Sequence, residues 1–222
     1  MSVYLIIPAF NEAPVVHEVL ESLLTLGYPI IVVDDGSSDH TAQIVAELPV
    51  TLIRHVINRG QGAALETGME AARRMHADYV VHFDADGQHD GREIIRLLKP
   101  LLNGECDVVF GSRFLEKIHP GLPLTRMLVL RAGRWLNYAL TGILLTDAHN
   151  GFRAMNRRAL DLLHFTQPGM AHATEILAGV RSHSLRYKEV PVHIQYSAYS
   201  KKKGQPVWNA VNILFHLLFK KN

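Results

Sequence analysis

Tyr79-Val80-Val81-His82-Phe83-Asp84-Ala85-Asp86-Gly87-Gln88 is the stretch on which the reading of the whole chain turns. The run Tyr79–Phe83 reads as a strand, and side chains alternate along a strand, so Asp84 and Asp86 are expected to leave the backbone on the same side. Two acids at the C-terminal edge of a strand, followed by a glycine turn, suit a hard divalent cation. Such a cation prefers oxygen ligands and can carry a diphosphate on its open positions. Gln88 adds an amide oxygen four residues after Asp84; His89 is not assigned as a ligand. An Asp-x-Asp pair taken alone can equally be a solvated turn. An EF-hand loop is excluded, because its sixth position needs Gly and its twelfth Glu, and counting from Asp84 those are His89 and Ile95. No His-Glu-x-x-His spacing supports zinc hydrolysis.

Working outward, strands alternate with helices. The pattern predicts strands at Val3–Ile7, Pro29–Val33, Thr51–His55, Tyr79–Phe83 and Asp107–Phe110. Between them it predicts helices at Pro14–Thr25, from a Ser37 or Ser38 cap to Glu47, at Gly60–Met75 and at Gly91–Leu102. This rhythm predicts an α/β fold with a mostly parallel central sheet flanked by helices, and the near-continuous apolar strands fit a sheet covered on both faces. After Ser112 the rhythm changes: a long helix within Leu122–Leu145, a short Gly151–Ala154 stretch, a helix at Thr174–Arg181, and strands near Arg186–Val190 and Val192–Tyr196. No linker-like break divides the chain. The reading is one domain over 1–222, with a nucleotide-sugar part to 115, an acceptor part over 116–204 and a C-terminal interfacial helix over 205–222.

Composition bounds the function. The 222 residues, 48% hydrophobic and 20% charged, are ample for one core. A net charge of +2 gives no argument for nucleic acid. The single Cys106 permits no disulfide framework, is expected as a packed thiol, and fits a reducing, cytoplasmic compartment. The N-terminus carries no basic leader, and no uncharged apolar run reaches the ~18 residues of a spanning helix. Two segments are nonetheless apolar and basic together. Leu122–Leu145 carries Arg126, Arg131 and Arg134, and Val207–Phe219 carries Trp208 and Phe215 before Lys220 and Lys221. Each reads either as an interfacial helix at a membrane or as a core helix.

In open parallel sheets ligands collect at the carboxyl ends of the strands. Four polar motifs fall there: Pro8-Ala9-Phe10-Asn11-Glu12, Asp34-Asp35-Gly36-Ser37, Asn58-Arg59-Gly60-Gln61-Gly62, and the Asp84/Asp86 pair. Asp34 or Asp35 can accept from a base N–H or ribose hydroxyl while the other caps a helix. Gly60-Gln61-Gly62 opens a helix whose N-terminus favours anions, although Leu65 at the third glycine position excludes a dinucleotide fingerprint. Gly111-Ser112-Arg113-Phe114 brings a guanidinium suited to phosphate to the same edge.

These motifs, in this order, resemble glycosyltransferase family 2, with the GT-A nucleotide-diphospho-sugar transferase fold. Gly111–Phe114 and Asp147-Ala148-His149-Asn150-Gly151-Phe152-Arg153 resemble its dolichol-phosphate mannosyltransferase and polyprenyl-phosphate glycosyltransferase branch. The resemblance covers most of residues 3–155. It implies that Pro8, Ala9, Phe10, Glu12, Asp34, Asp35, Gly62, Asp84 and Ala85 bind a UDP- or GDP-sugar. It implies that Asp84, Asp86 and Gln88 hold Mg²⁺ or Mn²⁺, and that Arg113 and Arg126 meet the phosphate of a lipid acceptor. It also implies an inverting reaction at the cytoplasmic membrane face. Independently, the tail Tyr196–Asn222, with Lys201-Lys202-Lys203 before an apolar helix, could dock an integral membrane protein or anionic lipid by peripheral contact. The chain departs from the branch at Gln61, often lysine, at Asn150, often serine, and at Leu130, often polar.

Departure of a nucleoside diphosphate develops negative charge that a cation and arginines stabilise, which places Asp86 and Arg113 in the chemistry. A phosphate acceptor needs no strong base, whereas a glycan or other hydroxyl acceptor needs a carboxylate, for which Glu175 and Asp147 are the candidates. Two further alternatives remain: a sugar-1-phosphate nucleotidyltransferase, which usually opens with a Gly-x-Gly-Thr-Arg loop, and a non-catalytic nucleotide-sugar-binding subunit.

Overall fold

The computed structural model describes residues 1–115, 135, 138–139, 141–148, 150–167, 169 and 172–195. Among these, seven strands form one sheet: β1 Val3–Ala9, β2 Ile30–Asp34, β3 Thr51–Arg54, β4 Tyr79–His82, β5 Val108–Ser112, β6 Arg153–Asn156 and β7 Tyr187–Pro191. Their order is β3-β2-β1-β4-β6-β5-β7. All neighbours run parallel except β6, which lies antiparallel to both β4 and β5.

The helices are α1 Val16–Leu24, α2 Thr41–Ala46, α3 Gln61–Arg74, α4 Ile94–Leu102, α5 Arg157–Leu162 and α6 His172–Ser182. They cover both faces of the sheet. One core gathers Leu5, Ile7, Val32, Val81, Phe83 and Val109 beneath α1 and α4. The other gathers Ile6, Ile31, Val33, Val80, Val108 and Phe110 against α3, α5 and α6. Successive β1 residues thus serve opposite cores, as strand alternation requires. Cys106 is buried, and burial pushes its thiol up to about 11, as befits a packing residue.

β1 continues through Pro8 to Ala9, past the expected stop at Ile7. Leu5 N donates to Pro29 O of the β2 side, so the N–H groups of even-numbered residues face β4. Phe83 N donates to Ile6 O at 3.0 Å, and Pro8, with no N–H to offer the next carbonyl, ends the β1–β4 ladder there. The predicted cap at Ser37 or Ser38 is not formed. Ser37 Oγ instead accepts from Asn11 N at 2.9 Å, and Asp39 Oδ1 accepts from Thr41 N at 2.9 Å where α2 begins.

β6 and α5 were not foreseen beyond a short Gly151–Ala154 stretch. β6 brings Arg153–Asn156 between β4 and β5, well inside the sheet. Val192–Gln195 forms no ladder; a single bridge joins Ile194 to His89. The Leu122–Leu145 helix lies mostly, and the Val207–Phe219 helix wholly, outside the described residues. Among the described residues no helix is long and apolar enough to cross a membrane.

Candidate active site

The strand order reverses between β1 and β4: β2 and β3 lie to one side of β1, and the rest lie on the other. At such a switch point the loops diverge and leave a crevice at the carboxyl edge. Pro8, Ala9 and Phe10 reach it from β1, and Asp84 and Ala85 from β4.

β4 ends at His82, so strand alternation does not carry through to Asp86, contrary to expectation. A turn containing Gly87, in the left-handed region at φ +72°, brings the two acids together instead. Asp86 Oδ1 accepts from Gln88 N at 3.0 Å. Burial, and then the neighbouring Asp84 charge, push the Asp86 carboxyl up to about 6, with Glu12 adding to the effect. Burial also works to raise Asp84, but the contact with His89, followed by the Arg153 charge, holds it below its ordinary value.

Asp84 sits in a cradle. Gln61 Nε2 donates to its Oδ1 at 3.0 Å, and His89 Nε2 lies 3.5 Å from its Oδ2. The His89 ring is held against Phe83 and Phe152, at centroid distances of 5.7 and 4.8 Å. Gly151 closes the cradle: a Cβ there would lie 2.2 Å from Asp84 Oδ2. Among the described residues no lysine or arginine forms a salt bridge with Asp84 or Asp86. Nor does any group of three His, Cys, Asp or Glu side chains form a protein cage for a metal.

Two repelling carboxylates without a full cage nevertheless fit a cation of the Mg²⁺ type. Such an ion keeps several waters and takes one or two carboxylates plus substrate phosphates. Asp84, Asp86 and the Gln88 amide are the residues that would hold it.

On the other side of the crevice, both acids after β2 are engaged. Asp34 Oδ2 accepts from Arg54 Nε at 3.1 Å and its Oδ1 from Ser37 N at 3.3 Å. Asp35 accepts from Arg59 N at 2.9 Å and Gly60 N at 2.6 Å. Phe10 is substantially exposed and Glu12 is buried. Asn11 adopts the left-handed conformation at φ 53° and accepts from Ser38 N at 2.9 Å, tying the first two loops together. Gly62 is buried in the first turn of α3.

Arg113 lies on the far side of β4, after β5. Its Nε and Nη2 donate to Asp147 at 2.6 and 2.8 Å, a bidentate pair that fixes the guanidinium plane. Asp147 is itself braced. Asn150 Nδ2 donates to it at 3.4 Å, and Glu189 Oε1 accepts from the backbone N of both Thr146 and Asp147. Arg153 is 1% exposed, its Nε donating to Asn150 O at 2.9 Å. Arg126 lies outside the described residues.

Glu175 stands apart from the carboxylate pair's immediate contacts. Its two oxygens accept from the backbone N of Thr166 and Gln167, each at 2.9 Å, and from the Thr166 hydroxyl, so it braces the turn before α6. Sequence reasoning missed His55, Gly151 and Glu189. It set His89 aside as a ligand, and in the structure the ring nitrogen Nε2 lies 3.5 Å from Asp84 Oδ2.

The model of glycosyl transferase family 2 matches residues 4–163. The chain belongs to glycosyltransferase family 2. Among its relatives in that family, the UDP-N-acetylglucosamine–dolichyl-phosphate N-acetylglucosaminyltransferase of Methanococcus voltae is 33% identical, over 99% of this chain and 96% of the relative. The dolichol-phosphate mannosyltransferase of Pyrococcus furiosus is 29% identical, over 98% of this chain and 64% of that one. The undecaprenyl-phosphate mannosyltransferase of Micrococcus luteus is 31% identical, over 86% and 83%.

The fold of this family 2 glycosyltransferase is GT-A. Glucosyl-3-phosphoglycerate synthase of Mycobacterium tuberculosis in complex with Mn²⁺, UDP and phosphoglyceric acid superposes with a TM-score of 0.70 at 19% identity. That superposition covers 100% of this chain and 80% of the synthase.

Proposed function

We propose that this glycosyltransferase moves a sugar from a nucleoside-diphosphate sugar to a polyprenyl phosphate, with the help of a divalent cation and with inversion at the anomeric carbon. The observation that carries the reading is the pair Asp84 and Asp86 at the β1/β4 switch point, where burial, and then the neighbouring Asp84 charge, push Asp86 up to about 6. A cation held by these two acids would relieve their repulsion and could carry a diphosphate on its open positions. When bound, it would neutralise charge developing on the departing diphosphate.

This chain's own residues have separable roles in that reaction. Asp84, Asp86 and Gln88 bind the cation, while Phe10, Asp34 and Asp35 border the nucleoside end of the crevice. The amino end of α3 presents N–H groups to negative charge. Arg113, its plane fixed by Asp147, meets the acceptor phosphate. An oxygen of that phosphate forms the new bond to the anomeric carbon as the bond to the diphosphate oxygen breaks. The electron pair leaves with the nucleoside diphosphate, and no proton need be removed.

The engagement of the two acids considered for a hydroxyl acceptor supports this choice. Asp147 is committed to Arg113, and Glu175 to the backbone of Thr166 and Gln167. The names of the relatives in Methanococcus voltae, Pyrococcus furiosus and Micrococcus luteus, each a transferase to a polyprenyl-type phosphate, favour the same acceptor class. Such an acceptor lives in a membrane, so the enzyme would work at its cytoplasmic face.

The test has two parts. Thermal shift with UDP-, GDP-, CDP- and dTDP-sugars, with and without Mn²⁺, identifies the donor through ligand linkage. Transfer is then assayed with undecaprenyl phosphate against a free glycan, for the wild type and Asp86→Ala. Labelled polyprenyl product that falls by a factor on the order of 10²–10³ in the variant is expected. Labelling of the glycan alone, or undiminished turnover by Asp86→Ala, defeats the proposal.

A further inference from the structure

A line of buried and part-buried polar contacts runs from Asp35 at the crevice through His55 to α3. His55, the first residue after β3, is 8% exposed. Its Nδ1 lies 2.6 Å from Asp35 Oδ1 and its Nε2 2.9 Å from the Thr67 hydroxyl on α3. Thr67 Oγ1 in turn lies 2.9 Å from Ala63 O, which fixes its rotamer. The carboxylate that His55 touches is the same one that accepts from Arg59 N and Gly60 N. Gly60 stands at φ +92° immediately before α3, a conformation that disfavours any side chain. From below, Gly36 presses on the same loop: a Cβ there would lie 2.7 Å from Asn58 N and from Ile57 C.

We infer that His55 and Thr67 are positioning residues for donor binding: through Asp35 they set the loop 57–60 and the start of α3, where the donor is taken up. The inference rests on the reading of this crevice as a nucleotide-sugar site, and goes further by giving a role to two side chains on its inner side. Among the described residues three protein donors meet the two oxygens of Asp35, and one of them is the imidazole. Without the imidazole, a buried carboxylate lacks a partner and can satisfy itself only by shifting, and the loop hangs on the same oxygens. A loop competent for only part of the time lowers apparent affinity by that fraction, with no donor contact removed. A ring serving only to fill the core would behave differently. Its loss would lower stability and leave nucleotide affinity alone.

The experiment uses the full chain and titrates UDP, GDP, CDP and dTDP, each with MnCl₂, by calorimetry. The proteins are the wild type, His55→Leu, His55→Asn and Thr67→Val. His55→Leu is expected to bind the wild type's preferred nucleotide about tenfold more weakly, the scale of one lost hydrogen bond to a charged group. His55→Asn, which keeps a donor beside Asp35, is expected to recover most of that loss. Amide exchange at Arg59 and Gly60 should speed up in His55→Leu and return towards the wild-type rate in His55→Asn.

Unchanged affinity in a folded His55→Leu overturns the inference, as does failure of His55→Asn to restore either readout. If His55→Leu does not fold, Thr67→Val decides, since weakened nucleotide binding with normal melting supports the inference and wild-type binding removes it. If the wild type binds none of the four nucleotides, the reading of the crevice falls first and takes the inference with it.

Discussion

Gly151 shows how a residue without a side chain can shape a charged site. The space its Cβ would need is taken by the Asp84 carboxylate, with Oδ2 at 2.2 Å and Cγ at 2.9 Å. Gly151→Ala is therefore expected to push Asp84 off its place while leaving the cores alone. Disturbing the surroundings of a metal ligand typically costs about 10- to 100-fold in metal affinity. Mn²⁺ titration followed by electron paramagnetic resonance should show a loss of that size, with thermal melting of the apoprotein nearly unchanged. Wild-type Mn²⁺ affinity in the variant would remove Asp84 from the metal site. At this scale the sequence exposes what is written contiguously. Asp84, Asp86 and Gln88 lie within five consecutive residues, so the proposal of a shared oxygen-ligand site could be read from their type and spacing. Gly151, Gln61 and Asp147 matter through partners 23 to 67 residues away in the chain, and no local pattern marks a glycine as the wall of a carboxylate pocket. Glu175 illustrates the converse. An acid in the right region of the sequence proves to be bonded to the backbone of its own turn.

Among the elements, α3 carries the most consequence, because it opens at the crevice and lies across the central strands. Its approach to β1 is set by Gly68, where a Cβ would meet Ile6 Cγ2 at 2.3 Å. Ile6 is fully buried, and its γ-methyl cannot swing clear as the end of a long side chain could. Gly68→Ala should lift the helix off the sheet, costing about 1–3 kcal/mol despite alanine's better helix propensity. Urea denaturation should show a lower midpoint with an unchanged slope; equal or greater stability would mean that α3 is free to slide. The parallel strands and the helices between them were legible because apolar runs of four or five residues recur between glycine and asparagine loops. β6 was not, and its sequence explains why. Arg153-Ala154-Met155-Asn156 has a charged residue at one end and an amide at the other, yet it pairs on both edges. Its Arg153 is buried opposite His82, an arrangement that only the tertiary surroundings make tolerable.

That buried layer gives the whole molecule a characteristic response to acid. Burial pushes His82 down to about 3, and burial followed by the Arg153 charge pushes His172 down to about 4. Both stay neutral in the folded chain, whereas in the unfolded chain each takes a proton near 6.5. Their contribution is therefore complete above pH 6.5 and is lost as pH falls towards 4, at about 1.4 kcal/mol per pH unit for each ring. Asp86 acts in the opposite sense. Raised to about 6 from 3.8, it takes up its proton in the folded chain first, so the metal-free fold regains one increment of the same size over the window from 6 to 4. Carboxyls held low, such as Asp84 and Asp107, lose their stabilisation only beneath 3.8 and do not enter this window. Two losses against one gain leave a net fall of about 1.4 kcal/mol per pH unit in the metal-free wild type. Asp86→Asn removes the gain and should double that slope to about 2.7 kcal/mol per pH unit. His82→Phe removes one loss and should make stability nearly flat. Urea midpoints for the three proteins at pH 6.0, 5.0 and 4.5 in EDTA measure all three slopes. Parallel lines for wild type and Asp86→Asn would show that Asp86 titrates alike in the folded and unfolded chain, and hence that the two acids are not crowded at all.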